Sequence, residues 1–565
     1  MTPGHSRNPL APLGAVAAFA VVLGAAAGTG RGQPPAGGAA AGRGRAAQAP
    51  ALKRVFVSAE TCALCHNQAP GTRPDAGADP LPRFVLRNEH KTWTESDKHR
   101  HAFALKGDRG KSMGVLLGFA DVTSERACLS CHATGFERAD PAPEQARALR
   151  SRELGVGCTS CHGPHREWVQ NHFFGADPDP AWRDRTPEAK AREFGMTDLR
   201  DPAVRAGVCS SCHVGNPDER KVVTHAMYAA GHPPLPGFEV ASFLKTMPPH
   251  WEKPGDVEAF QKDPGLRARN HIDFSEPQTT RSAVVGGVIA LRDAMRLLAG
   301  RAEPEPEPEP TPPGTAGRNW PDYAQFDCDS CHHDLRVPEP GRGRQVRGYD
   351  HHFDGLVVSG VPGRPRFRPW PLALARLALA QTGTGRDAFR EAVKDLHAAS
   401  DDRPFGDPAR VSRAARRLET WSQEMLGSLQ SSRFDASSPR RLLSALAATP
   451  AGEVSDYDSA RQVAWAFQAI YSDWQPRPKN DPQFKAILGE LDRSLKLDPY
   501  ANREPRARLV SARALTGEPL RSALLRLSED EFTTSIARAA DFDPDAFGDT
   551  LKRLGSLLDE TRAGN

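Results

Sequence analysis

Apolar residues recur at helical spacing in two parts of this chain. Between Ser282 and Arg301, Val285, Val288, Ile289, Leu291, Met295, Leu297 and Leu298 share one surface, which predicts a helix. Beyond residue 366 the same period returns over Pro371–Thr382, Ala388–Ala399, Val411–Leu429, Asp458–Trp474, Gln483–Leu497 and Phe547–Leu558. These segments predict an all-helical domain over residues 366–565, with no consistent 34-residue repeat. Residues 53–300 show only short helical pieces before the Ser282 helix. No pattern in the chain predicts a substantial sheet, so the fold class is mostly α.

Three segments depart from this pattern. Leu10 to Gly28 is uncharged and rich in Ala, Val and Leu, with Arg7 before it and Ala25, Ala26 and Ala27 near its end. A basic start, an apolar run and small residues predict an export signal over residues 1–28, and hence a periplasmic or otherwise exported body. Uncleaved, this segment would be the only means of membrane association, because no second apolar run is long enough to span. Residues 29–52 are Gly, Ala, Pro, Gln and Arg in low-complexity order and read as a tether. Residues 303–315 alternate Glu and Pro and predict an acidic polyproline II insertion in a loop; a docking strip for a basic partner is the sharper reading.

Composition adds a puzzle. Hydrophobic residues are only 39% of the 565, and 50 prolines and 49 glycines make the chain rich in loops. A bound group with a large apolar surface would supply the core that side chains do not. The net charge of +4 is nearly balanced and no basic tract stands out, which argues against nucleic acid as a partner.

The cysteines identify that group. All ten fall into five pairs of one form: Cys62-Ala-Leu-Cys65-His66, Cys128-Leu-Ser-Cys131-His132, Cys158-Thr-Ser-Cys161-His162, Cys209-Ser-Ser-Cys212-His213 and Cys328-Asp-Ser-Cys331-His332. C-x-x-C-H is the attachment motif of c-type haem. Two thiols three residues apart reach the vinyl groups on one porphyrin edge, and the next residue lies under the iron as the proximal ligand. A thioredoxin-like pair or a zinc ribbon would not require a histidine after every pair, and a disulfide framework would show varied spacings. The expectation is five covalently bound haems c over residues 53–350, with His66, His132, His162, His213 and His332 as proximal ligands.

Distal ligands are sought among the remaining histidines. His225 and His232 are seven residues apart, so both rings could lie on one face of a short helix ended by Gly231 and Pro233, each reaching a different haem. His99 lies in what reads as the start of an amphipathic helix and is preferred to His101. His172 is preferred to His165, which sits too close to His162 to reach a neighbouring haem. His90, His271, His351 and His352 remain open for a fifth distal place, and His333 reads as a neighbour of the proximal His332.

Three stretches carry a resemblance: Gly155-Val-Gly-Cys-Thr-Ser-Cys-His-Gly-Pro164, Ala229-Ala-Gly-His-Pro-Pro-Leu235 and Phe326-Asp-Cys-Asp-Ser-Cys-His-His-Asp-Leu335. Over roughly residues 55–350 the chain resembles the tetrahaem electron-acceptor cytochromes c of ammonia-oxidising bacteria, within a superfamily that includes octahaem hydroxylamine oxidoreductase and pentahaem nitrite reductase. The resemblance implies a mostly helical fold, closely packed haem pairs, bis-histidine irons, and distal roles for His99, His172, His225 and His232. This sequence departs from that pattern in its five motifs, its insertion between the fourth and fifth, and its C-terminal region.

The expected role is electron transfer between redox partner proteins. The alternative is an oxidoreductase with one open haem acting on a small nitrogen or sulfur compound. No C-x-x-C-Lys motif is present, as pentahaem nitrite reductases usually carry, and none of the six tyrosines matches the cross-linked tyrosine of hydroxylamine oxidoreductase. Both comparisons favour the carrier over the enzyme.

Overall fold

A computed structural model describes residues 56–68, 86–135, 155–164, 166–174, 182, 185–249, 251, 258–269, 276–303, 320–332, 350–353, 356–359, 364–475, 480–495 and 542–563. The expected signal, the tether and nearly all of the acidic insertion lie outside these residues. The fold is mostly α.

The motif-bearing part consists of short helices: α1 (Ala59–His66), α2 (Glu89–Ser96), α3 (Asp108–Leu117), α4 (Arg126–His132), α5 (Cys158–His162), α6 (Arg166–Phe174), α7 (Pro187–Phe194), α8 (Pro202–His213), α9 (His225–Ala229), α10 (Val240–Thr246), α11 (Glu258–Lys262) and α12 (Pro264–Arg269). Four of the five motifs end a helix, in α1, α4, α5 and α8, and the fifth occupies a single 3-10 turn at Cys328–Ser330. One helical turn puts Cys i and i+3 on the same face, which is what bridging one porphyrin edge demands.

The long helix α13 (Gln278–Ala302) follows, matching the expected Ser282 helix with one further turn at its start. A hairpin of β1 (Asp350–Phe353) and β2 (Leu356–Ser359) pairs antiparallel, His351 opposite Val358 and His352 opposite Val357. Beyond it run α14 (Ala375–Thr382), α15 (Arg386–Asp401), α16 (Pro408–Ser431), α17 (Ser438–Ala447), α18 (Tyr457–Asp473), α19 (Asp481–Ser494) and α20 (Pro544–Ala563). The segment expected to be helical from Pro371 instead opens with a 3-10 turn, Trp370–Leu372, before α14 begins. Helix α17 was not foreseen from the periodicity.

Helix α13 joins the two parts. Its Val284, Val288, Ile289 and Leu291 are fully buried in a core shared with Ala206 of α8, Val240 of α10, Leu377 of α14, Leu418 of α16 and Phe467 of α18. Polar contacts reinforce the junction. Arg205 donates to Ser282 Oγ at 2.8 Å, and Arg296 pairs with Glu419 at 2.8 Å. Arg366 pairs with Asp327, next to Cys328, at 2.6 Å. A smaller apolar cluster of Leu116, Leu117, Phe119, Val122, Met227 and Ala230 backs α9. Among the described residues no helix is long and apolar enough to cross a membrane.

Candidate functional site

Four of the five motif histidines converge with the histidines singled out elsewhere in the chain. The ring centroids of His66 and His172 are 6.3 Å apart, as are those of His99 and His213, His132 and His232, and His225 and His332. In each pair, one member follows a C-x-x-C and the other comes from a distant segment. A metal–imidazole bond is about 2.0 Å and the ring centroid lies about 1.1 Å beyond the nitrogen, so two imidazoles on opposite sides of one metal have centroids about 6.2 Å apart. The ring planes are 29° and 21° apart in the His66/His172 and His225/His332 pairs. They are 85° and 80° apart in the His99/His213 and His132/His232 pairs.

Local structure aims these rings. His99 stands in a 3-10 turn, Lys98–His101, rather than at the start of a helix: α2 has already ended at Ser96. Asp97 Oδ1 accepts from both the backbone N–H and Nδ1 of His99, each at 2.9 Å. Gly155, at φ 65°, packs against this turn, and a Cβ there would lie 2.5 Å from the His99 carbonyl. His101 is exposed. His225 and His232 do not share a helix face as expected. Thr224 Oγ1 caps α9 by accepting from Met227 N–H, and the helix stops at Ala229. Gly231 then turns the chain at φ 105°, with its N–H on Tyr228 O and the His232 N–H on Met227 O, both at 2.9 Å. This Schellman turn throws His232 away from His225. The two rings therefore face His132 and His332 respectively.

The Nδ1 atoms are held from outside. His66 Nδ1 lies 2.8 Å from Glu89 Oε2, and His132 Nδ1 donates to Ala102 O at 2.6 Å. His172 donates to Val169 O at 2.8 Å, and His232 to Pro233 O at 2.7 Å. A histidine that donates through Nδ1 presents the Nε2 lone pair, the arrangement typical of metal-bound imidazoles. Burial pulls His213 and His232 down to about 4, so both are neutral donors at pH 7. The Glu89 bond raises His66, and the Asp97 bond raises His99. Glu89 and Asp97 were not found from the sequence. Asp97 sits two residues before His99, a local signal, but nothing in the sequence pairs Glu89 with His66.

The remaining histidines are placed differently. His162 lies 6.3 Å from the Trp168 ring, tilted by 47°, and the indole N–H donates to Gly163 O at 2.7 Å. His90 contacts Asn67 Oδ1 at 3.2 Å and tilts against Trp93. His165, His271 and His333, and the side chains of His351 and His352, lie outside the described residues.

None of the ten cysteines is in a disulfide. The Cys62 and Cys158 thiols are hydrogen-bonded neighbours, as are those of Cys131 and Cys212. Burial pushes Cys161 up to about 12, with Cys209 and Cys212 close enough to add to it. The first motif thus abuts the third, the third approaches the fourth, and the fourth abuts the second. These residues fit haem c, with thiol pairs on one helical turn, imidazoles at iron-spanning separation and fixed Nδ1 atoms.

A family model described as cytochrome c554 and c-prime matches residues 61–163, the stretch that holds the first three motifs and His99. No curated protein and no solved structure matches the chain significantly. With three attachment motifs inside the matched stretch, this match supports a c-type cytochrome with covalently bound haem c and a role in electron transfer.

Proposed function

We propose that this protein is an exported electron carrier holding five haems, attached through Cys62 and Cys65, Cys128 and Cys131, Cys158 and Cys161, Cys209 and Cys212, and Cys328 and Cys331. His66, His132, His162, His213 and His332 are the proximal ligands. His172, His232, His99 and His225 are the distal ligands of the first, second, fourth and fifth irons. The observation that carries this reading is the common 6.3 Å separation of four histidine pairs drawn from eight separate places in the chain.

Bound haem supplies a one-electron iron couple. The residues determine what that couple does. At the four irons given two histidines, imidazoles on both sides would leave no position for a substrate, which favours carriage over catalysis there. The thiol contacts order the sites first, third, fourth, second, and α9 with the turn after it carries the path on, with His232 serving the second site and His225 the fifth. The tetrahaem acceptor cytochromes that residues 55–350 resemble fill the same role, and redox proteins are the partners it implies. Residues 1–28 supply the export signal.

The test is the intact mass of the protein made in a host with haem attachment in its periplasm. The expected product starts after the signal and carries five haem increments. Four or fewer increments, or an uncleaved chain without haem, would contradict the reading.

A further inference from the structure

The four histidine pairs differ in the charge that faces them, and the difference follows the order of the sites. At the first, Glu89 Oε2 lies 2.8 Å from His66 Nδ1. At the fourth, Asp97 Oδ1 lies 2.9 Å from His99 Nδ1, and the Asp97 side chain is only 6% exposed. The same carboxylate is close enough to Cys161 to raise its thiol, so it also bears on the third site. At the second site both holders are neutral: Ala102 O is 2.6 Å from His132 Nδ1, and Pro233 O is 2.7 Å from His232 Nδ1. At the fifth the nearby charge is positive. The Arg368 guanidinium lies over the ring of Tyr228, 5.6 Å from its centroid, and acts on His225 as a like charge.

Three further charged groups near these sites are paired. Asp322 is held by Arg301 at 2.8 Å, Asp327 by Arg366 at 2.6 Å, and Lys221 by Glu219 at 3.0 Å. Arg87 opposes Glu89 at His66 and is the weaker of the two. Asp458 also feels Arg368, but burial raises its carboxyl and weakens it as a counter-charge.

A carboxylate on Nδ1–H gives an imidazole part of the character of imidazolate, which stabilises ferric iron and lowers its potential; a neutral carbonyl does so less. A nearby cation disfavours the extra positive charge of ferric iron and raises the potential. The path runs first, third, fourth, second, fifth. Along it, carboxylates act on the first three sites, carbonyls on the next and a guanidinium on the last. Both ends reach solvent. Leu64, inside the first motif, is 80% exposed, and Tyr323, whose ring meets His225 at 5.5 Å, is 47% exposed.

We propose that electrons run through this protein from the first haem to the fifth. A donor redox protein gives one electron to the haem at Cys62 and Cys65. An acceptor redox protein takes one from the haem at Cys328 and Cys331, and each transfer changes one iron by one charge. This rests on the five haems and ligand pairs proposed above.

The test is a potentiometric titration of the holoprotein followed by electron paramagnetic resonance. The first and fifth pairs have near-parallel rings, at 29° and 21°, and the fourth and second near-perpendicular ones, at 85° and 80°. Each signal shape therefore comes from one site facing a carboxylate and one that does not. Each shape is expected to disappear in two steps, at least tenfold apart in the reduction equilibrium, about 59 mV for one electron. Among the near-parallel signals, Glu89→Gln is expected to raise the lower step and Arg368→Gln to lower the upper one, each leaving the other in place. Asp97→Asn is expected to raise the lower near-perpendicular step. Steps that coincide, or a Glu89→Gln shift in the upper step, would overturn the proposal. Haem count by mass is read in the same samples. Too few haems would sink the five-haem reading, whereas a full count with coinciding or reversed steps sinks only the direction of flow.

Discussion

Glu89 holds a carboxylate oxygen 2.8 Å from Nδ1 of His66, while its other oxygen accepts the Leu86 N–H at 2.9 Å. The carboxylate is thus fixed in place against the histidine of the first motif. Hydrogen bonding to Glu89 raises His66 despite its burial. A more basic imidazole donates more strongly to iron and stabilises its oxidised form. Glu89→Gln is expected to raise the first haem's midpoint by tens of millivolts, on the order expected for a neutralised outer ligand, at unchanged haem content. A titration that finds every midpoint unmoved would contradict this role.

His172 faces His66 from α6, a helix that carries no motif of its own. Removing this ring opens one iron without touching a thioether. His172→Ala is expected to keep its haem mass, gain one high-spin ferric signal and bind one more carbon monoxide per protein than the wild type when reduced. Carbon monoxide uptake equal to that of the wild type would show that His172 is no ligand.

Much of this was legible in the chain. The motifs are local, so spacing alone identified all ten cysteines and the five histidines beside them. The long amphipathic helices were legible too, because α13, α15, α16 and α18 each carry several turns of apolar residues. Helix α17 escaped because only Leu442, Leu443 and Leu446 mark it, within ten residues that begin Ser438-Pro439. His99, His172, His225 and His232 could be named, but not matched to partners. Pairing is a long-range property: His66 meets His172, and His225 meets His332, across intervening helices. The split between His225 and His232 depends on the Gly231 turn: the seven-residue spacing suggested one helix face for both rings, whereas the helix stops at Ala229 and the chain turns before His232. Glu89 has no sequence signature at all that ties it to His66.

Asp456 gives a prediction about stability. Its carboxyl caps α18 and is raised by burial to about 6 from an ordinary 3.8. Below both values the group is neutral in either state and has no effect. As pH rises through 3.8 the unfolded chain releases its proton while the folded one retains it, so stability falls until about pH 6. The full effect is on the order of 3 kcal/mol. Asn serves as well as Asp at a helix N-cap. Asp456→Asn is therefore expected to match wild type near pH 4 in denaturant unfolding and to exceed it at pH 7. Equal stability at both would contradict the assignment.

The central claim, that four of the irons sit between paired histidines, is tested most directly by electron paramagnetic resonance of the fully oxidised protein. Ring-plane angle controls the shape of a low-spin ferric signal: near-parallel rings give rhombic signals, and near-perpendicular rings give highly anisotropic ones. With planes at 29° and 21° in two pairs and 85° and 80° in the other two, the account predicts at least two low-spin haems of each class. A spectrum with only one low-spin class, or with high-spin iron at more than one haem, would contradict it.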